Sequence, residues 1–172
     1  MQALKMDAIY LAFDVDPKHL IEVLHSMAGM GFRGVNLTVP LKEVAFKGLE
    51  QLDISAKRLG SVNTVEFLPD GLLKGYSTDG KGFLLAIMEA FKTSVKGKSI
   101  FLLGSGGAGR AVAITCAVEE AADITVTDLD VKRAKQVTRE ISKLAPKAKV
   151  RWLPADINVW SAECRKANLV IQ

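Results

Sequence analysis

The chain has 172 residues, 49% of them hydrophobic and 24% charged, and its 23 basic against 19 acidic side chains leave a formal charge of +4. This length accommodates one good-sized domain or two small ones, and an ordinary composition without repeats or low-complexity stretches fits a soluble α/β protein. The charge is scattered, no apolar run is long enough for a membrane span, and Cys116 and Cys164 lie far apart with no histidine or second cysteine nearby; a nucleic-acid partner, a membrane, a disulfide framework and a metal are therefore not expected.

In chain order, Met1 to Met6 lacks the charged and then apolar regions of a secretory leader, which with the isolated cysteines suggests a cytoplasmic setting. Ala8 to Val15 is a nearly continuous apolar run and reads as a buried strand. Asp16 and Pro17 then open a helix whose apolar face is Leu20, Ile21, Val23, Leu24 and Met27, and Gly29 and Gly31 close it. His19 and His25 fall on its surface without partners. Gly34 to Val39 returns as a strand, so strand, helix and strand form a βαβ unit with parallel strands.

Leu41 to Leu59 carries one helical pattern, and Val62 to Leu68 and Leu72 to Tyr76, joined by Pro69-Asp70-Gly71, read as a β-hairpin. A helix is expected from about Gly80 to Phe91, and the polar segment Lys92 to Lys98 marks a domain boundary. Beyond it come a strand at Ser99 to Leu103, a helix at Arg110 to Glu120, a strand at Ile124 to Thr127 and a helix at Val131 to Leu144. Further strands are expected at Val150 to Leu153 and Asn168 to Gln172. The basic cluster Lys143, Lys147, Lys149 and Arg151 reads as a solvated helix end and loop.

Gly104-Ser105-Gly106-Gly107-Ala108-Gly109 follows the first of these later strands and opens a helix. In G-x-G-x-x-G the first glycine allows a tight turn, the second lets backbone approach a pyrophosphate, and the third permits close packing of helix on strand. The helix N-terminus offers unpaired N–H groups to the phosphates. Asp128, at the end of the next strand, is placed to accept hydrogen bonds from an adenosine ribose and to repel a 2′-phosphate, and Asp130 adds negative charge. NAD is therefore favoured over NADP. Lys132 and Arg133 are the residues able to favour a phosphate, and they are expected on the exposed face of the next helix.

Three loops in the first half present small polar groups: Gly34-Val-Asn-Leu-Thr-Val-Pro-Leu-Lys42, Ser61-Val-Asn-Thr64 and Ser77-Thr-Asp-Gly80. A lysine and a carboxylate from separate loops, with amides and hydroxyls between, suit proton transfer to a polyhydroxylated small molecule. These segments resemble the shikimate dehydrogenase family. The first is similar to its Asn-x-Thr-x-Pro-x-Lys signature, Gly60 to Thr64 to its Gly-Ala-Val-Asn-Thr, Gly75 to Gly80 to its Asn-Thr-Asp segment, and Gly104 to Gly109 to its cofactor loop.

The resemblance implies an α/β fold, with a partial α/β substrate-binding domain over residues 1–93 and the first part of a Rossmann-type parallel-sheet NAD(P)-binding domain over 94–172. It implies Lys42 as catalytic acid/base with Asp79 as its partner, Asn63 and Thr78 on ring hydroxyls, and Asn36 and Thr38 near a substrate carboxylate. Gly104, Ser105, Gly106, Gly107, Ala108 and Gly109 would hold the pyrophosphate. The family reaction is reversible NAD(P)-dependent reduction of 3-dehydroshikimate to shikimate, in aromatic amino-acid biosynthesis, with quinate used by some members.

Three departures from the family pattern stand out. Ser77 replaces a common Asn, and Asp128-Leu129-Asp130 replaces the Asn-Arg-Thr common in NADP-using members. The N-terminal strand and Ser-x-Ser loop, and the C-terminal helices, have no counterpart in the chain. An internal or truncated portion of a longer polypeptide, poorly active alone, is therefore expected. The alternative is a non-catalytic nucleotide-binding or regulatory protein of the same descent.

Overall fold

The computed structural model describes residues 5–172, so the first four residues of the stretch read for a leader lie outside it. Asp16 caps a 3-10 turn, Pro17–His19, by accepting from the Lys18 N–H, and α1 (Leu20–Gly29) follows with Leu20, Leu24 and Met27 buried. β1 is Gly34–Asn36, α2 is Leu41–Gly48, β2 is Gln51–Leu52 and α3 is Ile54–Leu59. β3 (Thr64–Phe67) and β4 (Leu73–Tyr76) form the expected hairpin, and α4 spans Asp79–Phe91.

These strands make a mixed sheet in the order β1-β3-β4-β2, antiparallel except for the β2–β4 pair. Among the described residues the expected parallel βαβ unit is absent. Residues 8–15 form no strand, and β1 pairs antiparallel with β3. An apolar run becomes a strand only where an edge pairs its N–H and C=O groups, and among the described residues no strand pairs with residues 9–15: Ile9 and Tyr10 are 81% and 67% exposed.

The single helix expected over residues 41–59 is also broken. Asp53 accepts from the Ser55 N–H and starts α3 as a new helix, while Leu52 pairs with Gly75. Leu20, Leu24, Ala45, Leu49, Ala56, Val62, Val65 and Leu73 fill the core of this half.

The second half follows its reading closely. β5 (Ser99–Leu103), α5 (Gly107–Val118), β6 (Asp123–Thr127), α6 (Val131–Leu144), β7 (Lys149–Leu153), α7 (Ile157–Lys166) and β8 (Leu169–Ile171) succeed one another. Their strands form an all-parallel sheet in the order β7-β6-β5-β8. A parallel sheet covered on both faces needs apolar strands, and Ile100, Phe101, Leu102, Ile124 and Val126 are all buried.

Two features of this half depart from expectation. α7 has no counterpart among the expected elements: none of its residues is fully buried, although Asp156 caps it through the Asn158 N–H and Trp160 packs on Phe101 with ring centroids 5.7 Å apart. Arg151 belongs to β7 and bonds Asp123 at 2.9 Å and Glu163 at 2.8 Å, so the basic cluster is partly a strand and not only a solvated loop. No helix among the described residues is long and apolar enough to cross a membrane.

The halves meet along α4 and α5. A Cβ built on Gly80, the second residue of α4, would lie 2.0 Å from Thr115 Oγ1 in α5, so the bare glycine is what lets these helices touch. The Leu59 side chain, at the end of α3, is buried in the core of the parallel sheet, and Phe83 and Leu84 of α4 pack against the same core.

Candidate active site

Lys42 is the second residue of α2, just after the cis Val39–Pro40 peptide, and Asp79 is the first residue of α4. Lys42 Nζ lies 2.8 Å from Asp79 Oδ2, with the lysine 16% and the aspartate 29% exposed. The pair is therefore largely, but not fully, screened from bulk water. The other carboxylate oxygen, Oδ1, accepts from Asn63 Nδ2 at 2.5 Å. Asn63 is buried, and its Oδ1 accepts from the Thr78 N–H at 2.8 Å and from the hydroxyls of Thr78 and Thr64, each at 3.2 Å.

Backbone bonds fix the same loops. The Val62 N–H donates to the Lys42 carbonyl at 3.1 Å, the Leu37 N–H to the Asn63 carbonyl at 2.8 Å, and the Asn63 N–H to the Tyr76 carbonyl at 3.0 Å. All three sequence segments therefore converge on one network. Asn36 joins it through Thr64, donating from Nδ2 at 3.1 Å. Thr38 is exposed, and among the described residues its side chain has no hydrogen-bond partner, so it stands at the rim.

Two members were missed in the sequence. Thr64 links Asn36 to Asn63 and lies 3.3 Å from the Thr78 hydroxyl; its place in the Val-Asn-Thr segment was the available signal. Tyr10 donates its hydroxyl to Asn36 Oδ1 at 3.0 Å, and nothing in an apolar run announces that contact.

The glycine loop has a geometry that could hold a dinucleotide. Gly104 has a φ of +91°, in the region that favours glycine, and a Cβ on Gly109 would lie 2.1 Å from the Gly104 carbonyl oxygen. At Gly106 and Gly107 a Cβ would meet nothing within 4 Å, so this side of the loop is open. α5 has no side-chain cap at its N-terminus, which leaves its first N–H groups to a ligand such as phosphate.

The acids beside this loop are less available than the sequence suggests. Asp128 Oδ2 accepts from the Ser105 N–H at 2.6 Å and the Ser105 hydroxyl at 2.8 Å, and Oδ1 accepts from the Asp130 N–H at 2.8 Å. Burial pushes the Asp128 carboxyl up, but the bonds from Ser105 and Asp130 and the nearby Arg133 charge outweigh it and hold the group below its ordinary value. Asp130 caps α6 through the N–H groups of Lys132 and Arg133.

Arg133 is exposed as expected, but it is not turned away from the acids. Its guanidinium lies 3.9 Å from both Asp128 and Asp130. His19 likewise has a partner, Glu22, at 3.6 Å. Cys116 is buried and its thiol is pushed up to about 12 by that burial. Among the described residues no group of three or more His, Cys, Asp or Glu is placed to hold a metal ion.

With the geometry in place, comparison with known proteins is informative. Residues 1–65 match the shikimate dehydrogenase substrate binding domain. The chain is 37% identical over 168 residues to a shikimate dehydrogenase (NADP(+)) of Methanopyrus kandleri, covering 98% of this chain and 57% of that protein. It is 43% identical over 150 residues to the enzyme of the same name from Methanosarcina mazei, covering 87% and 53%.

Among solved structures, the shikimate 5-dehydrogenase of Listeria monocytogenes in complex with shikimate and NAD superposes with a TM-score of 0.86 at 29% identity, over 98% of this chain and 59% of that one. A ligand-free 5-ketofructose reductase of Gluconobacter gives 0.81 at 32%, over 90% and 55%. A quinate dehydrogenase of Corynebacterium glutamicum in complex with NAD gives 0.79 at 29%, over 88% and 53%. The chain spans a little over half the length of the curated relatives it matches. The fold, with a mixed sheet followed by a Rossmann-type parallel sheet, and the sequence relatives agree: residues 1–65 match the substrate-binding domain of shikimate dehydrogenases, and the chain as a whole is similar to members of that family over the part of them it spans.

Proposed function

We propose that this chain carries the catalytic pair and the dinucleotide cradle of an oxidoreductase that interconverts 3-dehydroshikimate and shikimate, with 3-dehydroquinate and quinate as an alternative pair. Residues 1–93 supply the substrate side and residues 94–172 the cofactor side, in a cytoplasmic enzyme of aromatic amino-acid biosynthesis. The observation that carries this reading is Lys42 Nζ at 2.8 Å from Asp79 inside a network of amides and hydroxyls. The relatives named above are dehydrogenases, and they give no support to a non-catalytic alternative.

In this reading a secondary alcohol carbon loses hydride only as its hydroxyl loses a proton, so a proton acceptor must sit on that oxygen. Lys42 takes the proton in the oxidising direction and returns it to the carbonyl oxygen in the reducing one. Asp79 holds the Lys42 amine in place, and Asn63 holds Asp79. Asn63 and Thr78 orient ring hydroxyls, and Asn36 and Thr38 flank the end that bears the substrate carboxylate. When bound, a nicotinamide dinucleotide supplies or accepts the hydride. Gly104, Ser105, Gly106, Gly107, Ala108 and Gly109 receive its pyrophosphate.

NAD is the favoured dinucleotide in this reading, because the neighbouring carboxylates of Asp128 and Asp130, just after β6, are expected to disfavour a 2′-phosphate. Arg133 offsets part of that charge, and the relatives named for NADP(+) carry the opposite expectation. The likeness to a 5-ketofructose reductase favours a second reading, in which the same pair serves another polyhydroxy ketone.

The test is steady-state oxidation of shikimate and of quinate with each dinucleotide, and reduction of 5-ketofructose. Lys42→Ala should lose about three orders of magnitude in kcat while dinucleotide affinity stays within about twofold. A full-length polypeptide carrying this segment that turns over neither shikimate nor quinate would overturn the leading reading. A Lys42→Ala variant that kept most of its rate would overturn the lysine's role.

A further inference from the structure

Arg110 lies in the first turn of α5, and its backbone N–H donates to the Gly106 carbonyl at 2.8 Å, so its Cα is fixed to the glycine loop. Its side chain does not face that loop. Nε donates to Glu140 Oε2 of α6 at 2.6 Å, and Nη1 donates to the carbonyl of Leu59, the last residue of α3 in the other half of the chain. Arginine and glutamate are each only about one-quarter exposed, and Gln136 secures Glu140 by donating to its other oxygen at 2.9 Å. A planar guanidinium held at two edges defines an orientation as well as a distance.

The receiving end leads directly to the substrate loop. Gly60, with a φ of +60°, ends α3 by a turn that favours glycine, and a Cβ there would lie 3.5 Å from Arg110 Nη2. Two residues later the Val62 N–H binds the Lys42 carbonyl, and the next residue, Asn63, binds Asp79. The Leu59 side chain is meanwhile buried in the core of the parallel sheet. One guanidinium thus spans from the helix behind the glycine loop to the end of α3, from which the chain runs on through Val62 to Asn63.

We propose that Arg110 is a positioning residue: it fixes the dinucleotide helix against the 59–63 loop and so sets the orientation of the glycine loop relative to Lys42 and Asp79. The proposal rests on the reading of these two groups as the cofactor and substrate sides of one site. Arg110 touches neither ligand in this account, so its loss should leave dinucleotide affinity in place and cost turnover, because small misplacements of reacting groups are expensive.

The test uses the full chain with spin labels on Lys47→Cys in α2 and Lys143→Cys in α6, both exposed, in a Cys164→Ser background that leaves only buried Cys116. The unsubstituted site should give a narrow label-to-label distance distribution. Arg110→Met should broaden or shift it, leave the dinucleotide Kd within about twofold, and lower kcat roughly tenfold to a hundredfold with little change in KM. Arg110→Lys, which keeps the charge but loses the two-edged grip, should fall between. If Arg110→Met does not fold, Arg110→Lys and Glu140→Gln carry the same measurements.

An unchanged distance distribution would overturn the proposal, as would a broadened one with undiminished kcat. A broadened distribution in a protein that never oxidised shikimate would uphold Arg110 as the anchor between the halves and overturn the functional reading instead.

Discussion

Asn63 and Asp79 meet through a 2.5 Å hydrogen bond from Nδ2 to Oδ1, and among the described residues this leaves Lys42 as the partner of the other carboxylate oxygen. The aspartate therefore cannot swing away from the lysine without abandoning Asn63. The asparagine is itself held by the Thr78 N–H, one residue before Asp79, so both ends of its amide are committed.

Replacing Asn63 by Ala removes a buried donor and acceptor together and strands the Thr78 N–H. Stability should fall by about 1–3 kcal/mol, the range for leaving a buried polar group unpaired. Turnover should fall by roughly tenfold to a hundredfold as Asp79 loses its orientation. Urea unfolding and shikimate oxidation measure the two effects. Full stability with full activity would show that the amide holds nothing.

The contact between Gly80 and Thr115 gives a second prediction. Gly80→Ala brings a methyl group to 2.0 Å from Thr115 Oγ1 and 2.8 Å from its Cβ, so α4 must move off α5. Overpacking of this kind costs about 1–3 kcal/mol, and Asp79 shifts with its helix. Thr115→Ala, which deletes the closer atom, should recover part of the loss. A double-mutant cycle read by thermal unfolding checks this, and strictly additive losses would refute the contact.

How much of this was legible in the sequence depended on where the physical signal was local. β5, α6 and the glycine turn could be placed because apolar runs, caps and glycines lie within a few residues of one another. The Lys42–Asp79–Asn63 grouping was legible only through three motifs read together. The apolar run at 8–15 misled, because period alone cannot say whether a ladder partner exists. α7 escaped because its apolar residues, Ile157, Val159, Trp160 and Cys164, are few and none is fully buried, although Asp156 and the terminal Arg165 and Lys166 were usable end signals. The Arg110 bridge joins residues 51 positions apart through a backbone carbonyl, which no side-chain pattern records.

Cofactor choice is the third prediction. Asp130→Ser removes an exposed charge while keeping a hydroxyl to cap α6, and Arg133→Ala removes the cation that offsets both acids. Asp130→Ser should shift the NADP to NAD ratio of kcat/KM upward by about tenfold, and Arg133→Ala downward by a similar factor, each about 1.4 kcal/mol. Kinetics with both dinucleotides decide it. Two ratios that do not move would show that the 2′ position is recognised elsewhere.

The fourth concerns acid. Asp128 accepts three hydrogen bonds from Ser105 and Asp130 only while ionised on both oxygens, and its carboxyl is held below its ordinary value in the folded chain. A depressed folded pKa means that the unfolded chain takes up the proton first. The stabilisation is therefore complete above about pH 4–5 and is lost as pH falls toward the folded value. Asp128→Asn cannot make the same set of bonds, because an amide nitrogen replaces one acceptor. The stability gap between parent and variant should stay level from pH 7 to about pH 5 and narrow steadily below pH 4. Urea midpoints across that range measure it. A gap that stayed level to pH 3 would mean that the carboxylate's charge does not hold the glycine loop.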